Sequence, residues 1–105
     1  MSRIGEIAHH AEVSEKAIER YLVEEVEKRG GLCLKYDNPN AVGYPDRLVI
    51  LPGYPLVWAE VKSKGKKPRA IQEVRHASLR NIGQKVFVVD SKEGVNALIS
   101  RIIGL

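Results

Sequence analysis

Residues 43–62 read GYPDRLVILPGYPLVWAEVK, with two apolar, β-branched runs, RLVIL at 47–51 and LVWAEVK at 56–62, on either side of Pro-Gly-Tyr-Pro. Two such runs around a proline- and glycine-containing turn read as a β-hairpin. Centring the turn on Gly53 sets the register: Leu51 faces Pro55, Ile50 faces Leu56, Leu48 faces Trp58 and Asp46 faces Glu60. Side chains alternate between faces along a strand. Asp46, Leu48, Ile50, Leu56, Trp58 and Glu60 therefore share one face, and Lys62 joins them two residues beyond Glu60. Arg47, Val49, Leu51, Val57, Ala59 and Val61 form the other face.

This register opposes two carboxylates. Directly opposed residues of an antiparallel pair have Cβ atoms about 4.5–5.5 Å apart, where like charges repel, and an apolar face adds a desolvation cost. One carboxylate can be protonated, Lys62 can bridge the two, or a divalent cation can sit between them. Hard cations such as Mg²⁺ take few protein carboxylates and keep water and substrate phosphate as other ligands. An ammonium beside such a site stabilises charge on a phosphoryl transition state or helps deprotonate water. Asp46, Glu60 and Lys62 thus suit phosphodiester hydrolysis. The same three side chains would also make an ordinary surface ion triad. The context favours the first reading, because a basic, glycine-containing loop, SKGKKP at 63–68, follows at once.

Working outward, Ser14 caps a helix running to about Arg29, with Ile18, Tyr21, Leu22 and Val26 on one stripe and Gly30-Gly31 as its stop. LCLKY, 32–36, reads as a strand, and 37–45 as turn and loop. Pro68 suits the first turn of a helix reaching about Asn81. KVFVVD, 85–90, is a strand, and Ser91 caps a last helix with Val95, Leu98, Ile99, Ile102 and Ile103 on one side. The expected order is α-β-β-β-α-β-α in one domain, 1–105, with 1–13 as a possible N-terminal arm.

The chain has 105 residues and a net charge of +4. Residues 1–30 carry five basic and seven acidic side chains, whereas 61–80 carry seven basic side chains against Glu73. That clustering is what a phosphate backbone rewards. No apolar run is long enough to span a bilayer, and the first residues lack the apolar segment of a secretory signal. The single cysteine, Cys33, forms no internal disulfide, so a cytoplasmic location is the expectation.

Gly43-Tyr44-Pro45-Asp46 followed by Glu60-Val61-Lys62 resembles the PD-(D/E)XK nuclease signature, as PD…EVK. The wider pattern is a helical glutamate before Gly30-Gly31, then WAEVKSKGKKPRAIQ, then GQKVFVVDS. Over about residues 14–100 it resembles the VRR-NUC branch, the virus-type replication-repair nucleases, and its short stand-alone members, which implies a bacterial or phage-infected cell. The resemblance implies an α/β fold of the restriction-endonuclease-like kind, with a mixed central sheet flanked by helices. It implies Asp46 and Glu60 as ligands of Mg²⁺ or Mn²⁺, the Val61 carbonyl as a third, and Lys62 as the catalytic lysine. Gln72 matches the glutamine that supports the site or contacts DNA. Glu19 matches the helical glutamate that completes the site in related junction resolvases, with Glu15 as the competing choice. The basic residues Lys64, Lys66, Lys67, Arg69 and Arg75 are candidates for DNA contact. Beyond the metal, neither a small-molecule cofactor nor a membrane partner is expected.

The function expected is a structure-specific DNA endonuclease of DNA repair, most simply a homodimeric resolvase of four-way (Holliday) junctions. The alternatives are a flap endonuclease, an exonuclease, or a non-catalytic DNA-binding protein of the same fold. The last helix, with its tail to Leu105, and the N-terminal arm are candidate dimer interfaces. Cys33 reads as a buried thiol, Trp58 as core packing, His9 and His10 as surface residues, and His76 as uninformative. Tyr44 and Tyr54 read as loop residues that pack or stack on a base.

Overall fold

The computed structural model describes residues 14–104; the N-terminal arm with His9 and His10, and Leu105, lie outside the described residues. The element order is that expected from the sequence: α1 (Glu15–Lys28), β1 (Leu32–Lys35), β2 (Arg47–Ile50), β3 (Val57–Val61), α2 (Ala70–Asn81), β4 (Val86–Val89) and α3 (Lys92–Ile103). The four strands form one mixed sheet in the order β1-β2-β3-β4. The first three are joined antiparallel. β4 runs parallel to β3, as a connection through a helix demands.

The hairpin register is the one the Gly53-centred turn sets, with Leu48 opposite Trp58 and Val49 opposite Val57. One face of the sheet presents Val49, Leu51, Val57, Ala59, Val61 and Val89, all buried in the main core. Helices α1 and α3 cover it with Ile18, Leu22 and Val26 from one and Val95, Leu98 and Ile99 from the other. Burying side chains of this size contributes about 1.5–3 kcal/mol each. Ile102 and Ile103, partly buried, pack against the same core. The opposite face carries Trp58 and Glu60, and α2 lies over it through Gln72 and His76.

Local chemistry fixes the helix ends. The Ser14 hydroxyl accepts from the Ala17 N–H at 3.2 Å, and the Ser91 hydroxyl accepts from the Gly94 N–H at 2.9 Å, each satisfying an orphan donor. Past α1, Gly30 takes φ 79°, as a residue after a helix end often does. Its neighbour is needed for a different reason: a Cβ at Gly31 would sit 2.4 Å from the Ile50 carbonyl oxygen and 3.0 Å from Val26 and Leu51. The second glycine lets the chain pass close over β2. Among the described residues no helix is long and apolar enough to cross a membrane.

Gly31→Ala must displace backbone in order to fit, so it should cost about 1–3 kcal/mol, read as a lower urea midpoint at unchanged m-value. An unchanged midpoint would show that the crossing is looser than described.

Candidate active site

The site lies where β2 begins and β3 ends. Asp46 immediately precedes β2, and its carbonyl accepts the Tyr36 N–H at 2.7 Å, which ties it to the end of β1. Its Oδ2 accepts the Val61 N–H at 3.2 Å. The pattern of the neighbouring bonds explains why that N–H is free. Trp58 and Lys62 donate to Lys85 and Val89 of the β4 side, each at 2.9 Å, so Val61, at a position of the opposite phase, turns its peptide groups toward β2. The register places Pro45 opposite Val61. Proline has no N–H, so position 45 offers the Val61 carbonyl no donor. The Pro-Asp pair thus leaves the Val61 carbonyl without a main-chain donor from position 45.

Glu60 is 1% exposed. Its Oε2 accepts from Gln72 Nε2 at 3.1 Å and lies 3.9 Å from Lys62 Nζ. Its Oε1 is 3.3 Å from His76 Nε2. Burial, and then the charge of Asp46 and a hydrogen bond to it, push the Glu60 carboxyl up to about 8, against an ordinary 4.5. Burial holds His76 below its ordinary value. His76 and Glu60 thus share a hydrogen bond between a neutral imidazole and a proton-hungry carboxyl, while the Gln72 carbonyl oxygen accepts the Arg69 N–H at 2.8 Å at the start of α2. Both α2 side chains orient the buried carboxylate.

Asp46, Glu60, Val61 and Lys62 are thus brought together, with Gln72 directly on Glu60. Lys64, Lys66 and Lys67 are exposed on a loop held by the Lys66 N–H to the Ser63 carbonyl, 3.0 Å, and by the Gly65 N–H to Asp90, 3.1 Å. Arg69 is exposed beside them. Arg75 is occupied otherwise: its Nε donates to the Val42 carbonyl at 2.8 Å and its guanidinium lies 5.1 Å from the Tyr44 ring centre. Glu19 is not brought to Glu60. It takes a two-pronged ion pair from Arg47, at 3.0 and 2.9 Å, on the sheet face opposite Glu60. The helical acid whose charge reaches Glu60 is Glu15, one turn earlier. Cys33 is a buried thiol pushed up to about 11.

His76 was missed by sequence reasoning. A signal existed, because His76 stands four residues after Gln72 and shares its helix face.

Among the described residues no three of His, Cys, Asp and Glu converge as a metal-holding cluster. The available donors are two carboxylates and the Val61 carbonyl. They are all oxygen, which fits a hard cation better than zinc.

A mixed sheet with acidic side chains meeting at one end, a lysine beside them and a basic loop is the arrangement of a nuclease domain, and similarity to known proteins shows that the chain belongs to the VRR-NUC family. No protein-family model matches the sequence. The chain is 42% identical over 81 residues to "Putative nuclease p44" of Acyrthosiphon pisum secondary endosymbiont phage 1, covering 77% of this chain and 87% of that protein. A solved VRR_NUC domain superposes with a TM-score of 0.77 at 36% identity, over 84% of this chain and 96% of that one.

Because the folded-state value of Glu60 is raised, its contribution to stability is intact below about 4.5 and lost as pH climbs to about 8. Glu60→Gln should remove that slope, so that in chelator the variant gains on the wild type between pH 5 and pH 8 in urea titrations. Parallel pH profiles for the two proteins would contradict the assignment.

Proposed function

We propose that the protein is a Mg²⁺- or Mn²⁺-dependent endonuclease that hydrolyses phosphodiester bonds in branched DNA, with the four-way junction as its substrate and a homodimer as its working form. The observation that carries this reading is the meeting of Asp46 and Glu60 beside Lys62, next to the exposed lysine loop. Asp46, Glu60 and the Val61 carbonyl would hold the cation. When bound there, it supplies Lewis-acid polarisation of the phosphodiester. Lys62 holds its ammonium 3.9 Å from Glu60, where it stabilises negative charge growing on the phosphoryl oxygens. Gln72 and His76 fix the Glu60 carboxylate so that no reorganisation is needed during reaction. Lys64, Lys66, Lys67 and Arg69 attract the phosphate backbone without reading sequence. Symmetric cutting of a junction needs two sites related by a dyad, which is the reason for two copies.

Asp46→Asn and Lys62→Ala should each lower cleavage more than about 100-fold while leaving thermal unfolding cooperative and junction binding in place. Near-normal rates in either variant would remove the residue from the chemistry. The assay compares four-way junction, flap, linear and supercoiled DNA with Mg²⁺. Paired nicks near the branch point support the resolvase reading, and end-dependent loss supports an exonuclease.

Replacing Lys64, Lys66 and Lys67 together by Ala should reduce the slope of log affinity against log salt by about 0.9 for each phosphate that the loop no longer neutralises. A slope equal to that of the wild type would mean that the loop stays clear of the backbone.

A further inference from the structure

Beside Asp46 the surface opens into a cleft of about 180 Å³ walled by Tyr36, Asn38, Ala41, Tyr44, Asp46 and Arg69. Clefts for drug-sized ligands begin at roughly 300 Å³, so this one suits a single planar ring system. Its walls are aromatic and polar together. The Tyr36 and Tyr44 rings meet edge-on at 6.0 Å, and Trp58 backs Tyr36 at 5.1 Å. The Asn38 amide donates to the Tyr36 hydroxyl at 3.2 Å and its carbonyl oxygen accepts the Asn40 N–H at 3.0 Å. Those two bonds orient the amide and leave it a further N–H and a lone pair.

The cleft is also preformed. Gly43 has φ 99° and passes so close to α2 that a Cβ would meet the Ile71 carbonyl oxygen at 2.9 Å. Arg75 holds the Val42 carbonyl, and the Ala41 N–H bonds to the Asn38 carbonyl at 3.2 Å. No closure is needed to build the walls. Asp46 belongs to both the cleft and the carboxylate pair, so a phosphate at the pair brings its own nucleoside within reach of the two tyrosines.

We propose that this cleft receives the base of the nucleotide adjoining the scissile phosphate, taken out of the DNA stack, with the tyrosines as its aromatic walls and Asn38 at its hydrogen-bonding edge. The inference rests on the nuclease reading above and adds a substrate requirement to it. Removing a base from its stack is least costly where pairing is already broken, so the cleft selects for branch points and unpaired nucleotides over regular duplex. Arg69 at the mouth faces the adjoining phosphate.

The test uses the full-length protein with Mg²⁺ and a branched oligonucleotide cut at a mapped position, in two forms, intact and with a tetrahydrofuran abasic residue next to the cut. The wild type should cut the abasic form about tenfold more slowly in single turnover, within the range that loss of one base–aromatic stack gives. Ala41→Phe fills the cleft from the 37–44 loop and leaves Asp46, Glu60 and Lys62 unsubstituted, and it should cut both forms at the slow rate. Asn38→Ala is a second variant in case the first unfolds, and should narrow the difference between the two forms. Equal wild-type rates on the two forms would overturn the inference while leaving the nuclease reading standing. So would a plugged variant that still prefers the intact form. Absence of Mg²⁺-dependent cleavage on every substrate would overturn the nuclease reading and this inference with it.

Discussion

A buried carboxylate is costly, and this fold keeps one. Glu60 sits almost wholly out of solvent with the charge of Asp46 against it, both of which raise its affinity for a proton. Everything around it answers that cost in part. Gln72 and His76 descend from α2 to hydrogen-bond it, and Lys62 stands close enough to lend positive charge. The remaining deficit is what a divalent cation would relieve. Buried, mutually repelling carboxylates of this kind concentrate at functional sites.

The placement of that pair follows from strand geometry. The antiparallel hairpin puts position 46 against position 60, and the parallel β4 takes the main-chain bonds of Trp58 and Lys62. Val61 is left facing β2, where Pro45 can offer no donor and Asp46 takes the N–H. The proline, the aspartate and the two strand directions act together, so that substitution at Pro45 changes the environment of the main-chain oxygen as well as the backbone.

Much of this was legible in the residues. The two β-branched runs around Pro52-Gly53-Tyr54-Pro55 allow one symmetric register, and the register alone puts Asp46, Glu60 and Lys62 on a common face. The order of elements along the chain and the helix caps were equally plain, because Ser14, Ser91 and Gly30-Gly31 act locally. What could not be read were the contacts set by how helices lie on the sheet. His76 is an ordinary helical residue until α2 is laid across β3 and brings it to Glu60. Glu19 matched a motif, yet Arg47 on the core-facing side of β2 captures it, and nothing in the spacing of either residue announces that ion pair. Arg75 read as one more basic residue of a phosphate-binding stretch, whereas it fastens the 37–44 loop to α2. The apolar stripe on α3 was visible, but its use inside the molecule depended on α1 lying against it.

The central claim is that Asp46, Glu60 and the Val61 carbonyl form one cation site. The most direct test is a crystal soaked in Mn²⁺, with anomalous diffraction collected at its absorption edge. The account predicts a single strong peak at inner-sphere distance, about 2.1 Å, from oxygens of Asp46 and Glu60 and from the Val61 carbonyl. A peak at other residues, or none at a Mn²⁺ concentration that supports cleavage, would contradict it.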